Sequence, residues 1–180
     1  MSSLSQPPII NIMEKAARKA GKTIIRDFGE LEKLQVSSKS LGNFVTKSDI
    51  NAEKIIFDEL KHYYPEYNFL MEETGMIKGN DKEHAFVIDP IDGTSNFIHG
   101  IAHFSIVISK LTFNKITDGI IFNPITNEFY WCSKGKGAWL NNQRLRVSNR
   151  KDLDSCLVGI SSPKNSNKGV VFANQLENLK

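Results

Sequence analysis

Cysteine is scarce in this chain, and long apolar runs are missing altogether. The only thiols, Cys132 and Cys156, show neither metal-ligand spacing nor the even, dense pattern of a disulfide framework. A pair of free thiols fits a reducing compartment, so a cytoplasmic protein is expected. No apolar stretch approaches the roughly 20 residues of a membrane span. Met1 to Pro8 lacks a basic segment followed by a long apolar one, so no secretory leader is expected. Neither sign of charge dominates. Lys and Arg number 23 against 20 Asp and Glu, giving a net +3 spread along the sequence, which gives no reason to expect a nucleic-acid partner. No Ser-His-Asp or Cys-His nucleophile pattern is evident. There is no internal repeat and no low-complexity linker.

What is present suits a globular α+β protein. Apolar residues make up 40% of the 180, enough for a core of one domain and part of another. Ile9, Ile10, Ile12, Met13, Ala16, Ala17, Ala20, Ile24 and Phe28 fall at helical spacing between Pro7-Pro8 and Gly29. A second amphipathic helix is expected from about Ile50 to Tyr64, with Ile55, Ile56, Leu60 and Tyr63 inward and Pro65 as its stop. Strands follow at 68–71, 85–88, 104–112, 117–122 and 128–132, with turns at Asn123-Pro124 and Asn141-Asn142. Helices first and strands after imply an antiparallel sheet with helices on one side. A domain boundary is expected near Arg150, dividing 1–150 from 151–180. Beyond it lie a stretch from Leu153 to Ile160 and a helix start marked by Val170, Val171, Leu176 and Leu179.

The segment Val87-Ile88-Asp89-Pro90-Ile91-Asp92-Gly93-Thr94-Ser95-Asn96-Phe97 carries the most chemistry. Proline fixes its own φ and biases the preceding residue to extended geometry, so Asp89 should close a strand and Asp92 lie in the turn after it. Two carboxylates so placed suit Mg²⁺, which takes oxygen ligands in near-octahedral geometry. Gly93 lets backbone approach a ligand, and the first amides of a helical turn can hold an anion. Asp-Pro and Asp-Gly are also ordinary turn dipeptides, so this segment alone leaves both readings open. Two further apolar runs end in acids, Phe69 to Glu73 and Phe44 to Asp49, the latter read as strand-like. Alone, a Glu-Glu pair reads as a solvated corner and Asp49 as a helix N-cap. Lys39 sits in a polar, Ser-rich stretch read as a loop.

The histidines carry less. His99 and His103 are four apart, as two zinc ligands on a helix would be, but no Glu follows His99 and apolar neighbours suggest a packed wall, so zinc is not expected. His62 and His84 read as surface residues. Phe97, Phe104, Phe113, Phe122 and Phe129 read as core.

Taken together, Thr46-Lys47-Ser48-Asp49, Glu72-Glu73 and the block Asp89 to Phe97 resemble the inositol monophosphatase family of Mg²⁺-dependent, lithium-sensitive sugar-phosphate phosphatases. Gly135 to Asn141 is a weaker match, to that family's glycine-rich hairpin. The resemblance covers nearly the whole chain. It implies a layered αβαβα sandwich, here with its second domain incomplete, and two or three Mg²⁺ ions. It implies that Glu72, Asp89 and the Ile91 carbonyl hold a first ion, with Asp89 bridging to a second that Asp92 also holds. Glu73 is implied nearby. Asp49, Thr94 and Glu72 are implied as the catalytic group, Asp49 and Thr94 positioning and deprotonating a water. Gly93, Thr94 and Ser95 are implied to cradle the phosphate by their amides, with Lys39 near a metal loop. Ser95 stands where many members carry threonine. A small sugar-phosphate substrate is implied, as is a homodimer for full-length members.

One departure stands out. The family's further metal-binding aspartate follows a tryptophan, yet here neither Trp131 nor Trp139 precedes an aspartate. The second ion is therefore expected to be one ligand short and activity to be weak or nil. A non-catalytic remnant or interaction module is the alternative. Strands left uncovered would expose apolar surface and favour poor solubility.

Overall fold

The computed structural model describes residues 6–31 and 38–157, and of residues 38–46 the backbone alone. The chain divides into two compact units, 1–146 and 147–180.

The first unit opens with two long helices, α1 (Pro8–Leu31) and α2 (Ser38–Tyr63). Pro8 suits the first helical position, where its missing N–H is no loss. Ile10, Met13, Ala17, Ala20 and Ile24 recur on one face of α1 and are wholly buried. Helix α1 runs two residues past Gly29, because Leu31 is buried and extends the same face. Its approach to the sheet is close at Gly21, where a Cβ would lie 3.0 Å from the Phe122 ring and 3.2 Å from Pro124.

Helix α2 begins well before the expected Ile50. Phe44 to Asp49 is thus helical rather than strand-like, and Lys39 lies in a helix rather than a loop. Three β-favouring residues, Phe44 to Thr46, are too few to define a strand without a partner, and the helix propagates through them. Ile56 and Leu60 are buried as expected. Tyr63 is 42% exposed instead, at the last turn, where the Lys15 ammonium donates to its hydroxyl at 3.0 Å.

Eight strands follow: β1 (Asn68–Met71), β2 (Gly75–Ile77), β3 (His84–Asp92), β4 (Ser105–Thr112), β5 (Lys115–Asn123), β6 (Glu128–Ser133), β7 (Gly137–Leu140) and β8 (Gln143–Arg144). They form one sheet in the order β2-β1-β3-β4-β5-β6-β7-β8. The sheet is mixed, not purely antiparallel, because β1 pairs parallel to β3. The β2 hairpin and the link back to His84 supply that crossover. A short helix, α3 (Thr94–Ile98), separates β3 from β4.

Cross-strand register sets the two faces. Ile108 and Ile106 of β4, Ile120 and Phe122 of β5, and Phe129 and Trp131 of β6 belong to the same buried core as α1 and α2. The residues between them point the other way. On that second face an apolar groove of about 290 Å³ runs past Val107, Ile116, Ile121, Ala138 and Leu145. Phe97, Phe104, Phe122 and Phe129 are core as expected. Phe113 is 66% exposed, because Phe113 and Asn114 take φ of 50° and 59° at the tip of the β4–β5 hairpin. His84 is not a bare surface residue: its Nδ1 lies 2.9 Å from an Asp81 carboxylate oxygen and its ring stacks on Tyr67.

In the second unit a short 3-10 turn, Leu153–Ser155, is capped by the Asp152 carbonyl. The rest of the stretch reaching Ile160, and the helix expected around Val170 to Leu179, lie outside the described residues. Both cysteines are free and exposed. No helix among the described residues is long and apolar enough to cross a membrane.

The helix pair is locked by Glu59, a buried carboxylate that Lys15 and Lys19 approach at 2.7 and 3.0 Å. Hydrogen bonds from Lys15 and then Lys19 hold its carboxyl below the ordinary 4.5. A depressed carboxylate stabilises the fold above its unfolded pKa, and that contribution fades as pH falls through the folded value. Glu59→Gln is expected to lower stability at neutral pH by about 1 kcal/mol. In urea titrations across pH, the gap from wild type should close below 4.5; a gap constant with pH would contradict this.

Candidate metal and phosphate site

The end of β3 is built by a bulge. Asp89 pairs with Val107 and Asp92 with Ser105, so two residues, Pro90 and Ile91, oppose Ile106 alone. Positions three apart in a regular strand project to opposite faces. Here the extra residue restores parity, because Val107 and Ser105 are two apart on β4. Both carboxylates therefore emerge on the same side, away from Ile106 and Ile108. Proline suits the spot, since it has no amide to give to the ladder. Asp92 is thus the last residue of the strand, rather than part of a following turn.

Gly93 ends the strand with φ 98°, a conformation other residues adopt at a cost. A Cβ there would also lie 3.1 Å from the His103 carbonyl and 3.3 Å from the Phe104 Cα. The Gly93 carbonyl accepts from the Asn96 and Phe97 amides. The amides of Gly93, Thr94 and Ser95 make no such turn or loop bond among the described residues. The Thr94 hydroxyl donates to the Ile91 carbonyl at 3.1 Å.

Glu72 arrives from β1, held to the end of β3 by its amide, which donates to the Ile88 carbonyl at 3.1 Å. Its carboxyl lies beside that of Asp89. Burial, then Glu72, then Asp92 push the Asp89 carboxyl up to about 7, against a smaller opposing effect of the Ile91 amide. One Asp89 oxygen, Oδ1, is buried without a hydrogen-bond partner among the described residues. Such an orphan is costly unless something compensates it.

Asp49 comes from α2 and is only 4% exposed. Burial, then Glu73, Glu72, Asp89 and Glu53, push it up to about 7. Neighbouring Ser48 donates to Asp27 of α1 at 2.8 Å, which fixes this turn of α2 against α1. The structure thus brings Asp49, Glu72, Glu73, Asp89 and Asp92 into one electrostatic neighbourhood. Among the described residues, no three of them already converge tightly enough to enclose an ion. The side chain of Lys39 lies outside the described residues.

A further participant, Glu53, has no signal in the sequence beyond being an acid on the inward face of α2. It is 1% exposed and accepts from the Glu73 amide at 2.8 Å, the Thr74 amide at 3.1 Å and the Thr74 hydroxyl at 2.7 Å. It pins the corner that presents Glu72 and Glu73. His99 and His103 are not paired as ligands: the His99 ring meets the Ser95 carbonyl at 2.7 Å, and the His103 carbonyl accepts from the Asn96 amide group at 2.7 Å.

The donor set fits a hard divalent cation. It is all oxygen, and no Lys or Arg forms an ion pair with Glu72, Asp89 or Asp92 among the described residues. The orphaned Asp89 oxygen is the clearest point of attachment. Residues 5–180 match the inositol monophosphatase family. The chain belongs to that family. It is 46% identical over 153 residues to an inositol-1-monophosphatase of Caulobacter vibrioides, covering 84% of this chain and 60% of that protein. It is 44% identical over 153 residues to a Nus factor SuhB of Xylella fastidiosa, covering 85% and 55%. A crystal structure of the extragenic suppressor protein suhB from Bartonella henselae superposes with a TM-score of 0.84 at 38% identity, over 96% of this chain and 67% of that one. The chain thus spans about 60% of the length of the curated inositol-1-monophosphatases it matches. The mixed sheet with its helices is the family's α+β sandwich fold, as the resemblance implied.

Glu53→Gln is expected to cost about 2 kcal/mol by leaving the corner amides poorly paired. Urea denaturation measures it. A loss below the error of the measurement would show that the corner holds itself.

Proposed function

We propose that this fold hydrolyses phosphate monoesters with Mg²⁺, acting on inositol monophosphate or a similar small sugar phosphate. The observation that carries the reading is the buried, unpartnered Asp89 oxygen, crowded by Glu72 and Asp92 beside the Gly93 turn. Glu72, Asp89, Asp92 and the Ile91 carbonyl would hold the metal. When bound, Mg²⁺ supplies a water acidified for attack and neutralises charge on the phosphoryl oxygens. The amides of Gly93, Thr94 and Ser95 hold the phosphate in line. Thr94 orients the water through a hydroxyl already fixed on the Ile91 carbonyl. Asp49, buried beside these acids, is placed to take the water's proton. Phosphoryl transfer leaves the protein mainly positioning and charge stabilisation, which is what these residues offer.

A non-catalytic role of the same fold is the second reading. It is favoured by relatives named Nus factor SuhB. Calorimetry with Mg²⁺, alongside a phosphate-release assay on inositol monophosphate, tests both. Mg²⁺ should bind wild type and not Asp89→Asn, and any slow Mg²⁺-dependent release should vanish with the same substitution. Binding with no release at any protein concentration would favour the second reading. Binding that survives Asp89→Asn would overturn the site.

A further inference from the structure

Glu53 is the most deeply buried acid among the described residues, at 1% exposed, and it follows Asp49 by one turn on the same face of α2. Glutamate is almost never fully buried unless it is paired. Glu59 and Asp27, on the same helix pair, each meet a cation. Glu53 meets no Lys or Arg among the described residues. Its three hydrogen bonds all come from the loop that carries Glu72 and Glu73.

Met71 pairs with Gly75 across the β1–β2 hairpin, so Glu72, Glu73 and Thr74 form a three-residue loop, closed by Gly75 at φ 79°. Both Glu53 oxygens are engaged by this loop. Oε2 accepts from the Glu73 amide at 2.8 Å. Oε1 accepts from the Thr74 amide at 3.1 Å and from the Thr74 hydroxyl at 2.7 Å. On the other flank the Glu72 amide donates to the carbonyl of Ile88, the residue before Asp89. The backbone around Glu72 is thus tied to β3 on one side and to α2 on the other. The bracket needs a group that only accepts, because a glutamine would turn its NH₂ toward an amide N–H. No further strand supports the loop from outside, since β2 is the edge of the sheet.

We propose that Glu53 is a positioning residue that makes the site prefer Mg²⁺ to the larger Ca²⁺, by fixing the loop from which Glu72 reaches the ion. This rests on the metal site proposed above. Mg²⁺ demands near-ideal octahedral geometry at about 2.0–2.1 Å, whereas Ca²⁺ takes about six to eight oxygens at about 2.3–2.6 Å in flexible geometry, so the give of the ligands helps decide between them. Asp89 is set by the pairing of β3 with β4. Room for a larger ion must therefore come from the Glu72 loop, and Glu53 is the group that restrains it.

Calorimetric titration of the chain with Mg²⁺ and, separately, with Ca²⁺ gives the ratio of the two affinities. Glu53→Gln should weaken Mg²⁺ about tenfold and leave Ca²⁺ within about twofold, so that the ratio falls about tenfold. Thr74→Val, at an exposed position, removes one of the three donors, keeps both amides and should lower the ratio about threefold. Thr74→Ser keeps the hydroxyl and should retain the wild-type ratio. Glu59→Gln, which loosens the helix pair further along α2, should lower stability without moving the ratio. A wild type without preference for Mg²⁺, or a ratio that Thr74→Val leaves unchanged because both ions weaken alike or neither does, overturns the proposal alone, whether or not Glu53→Gln folds. A wild type that binds neither ion overturns the metal site and this proposal with it.

Discussion

Carboxylates from separate elements of this protein are held in one neighbourhood by backbone pairing and side-chain contacts. Glu72 is tied to β3 through its amide, Asp89 and Asp92 are set by a strand bulge, and Asp49 is buried on a helix clamped through Ser48 to Asp27. Burial, and then like charges nearby, oppose ionisation, which is why Asp49 and Asp89 are both pushed up to about 7. Protonation relieves such repulsion, and a bound divalent cation would relieve it with the carboxylates still ionised. The core beneath supplies the rigidity, with α1, α2 and one sheet face sharing a continuous set of buried side chains.

The bulge at Pro90 links that electrostatic arrangement to a cavity beside it. By restoring side-chain parity it turns Asp89 and Asp92 to the face that also carries Tyr130, Asn123 and Glu128. Gly93 then brings the chain against His103 and Phe104, closer than a Cβ would allow. Clustered acids, amide donors and that cavity thus lie at one end of a single sheet.

Much of this was legible in the sequence because it is local. Helical spacing marked α1, and the short β-rich runs marked β1, β3, β4, β5 and β6. Acids at strand ends marked the site, and the family resemblance supplied roles that spacing alone could not. What escaped depends on partners far along the chain. The bulge exists only in register with β4. Glu53 looks like any helix acid until the Glu73 and Thr74 amides arrive beside it. Phe113 was misread as core because its φ of 50° at a hairpin tip is invisible to hydrophobicity. The stretch from Phe44 to Asp49 was misread as strand because three β-favouring residues outweighed the helix into which they run. The parallel pairing of β1 with β3 needed the β2 excursion, which is too short to register as a strand.

Carboxyl-carbon NMR titration of the metal-free chain tests the central claim most directly. Asp49 and Asp89 should titrate near 7, and saturating Mg²⁺ should leave both ionised well below that. If both titrate near their ordinary 3.8 and ignore Mg²⁺, the carboxylates are not confined together and the site described here does not exist.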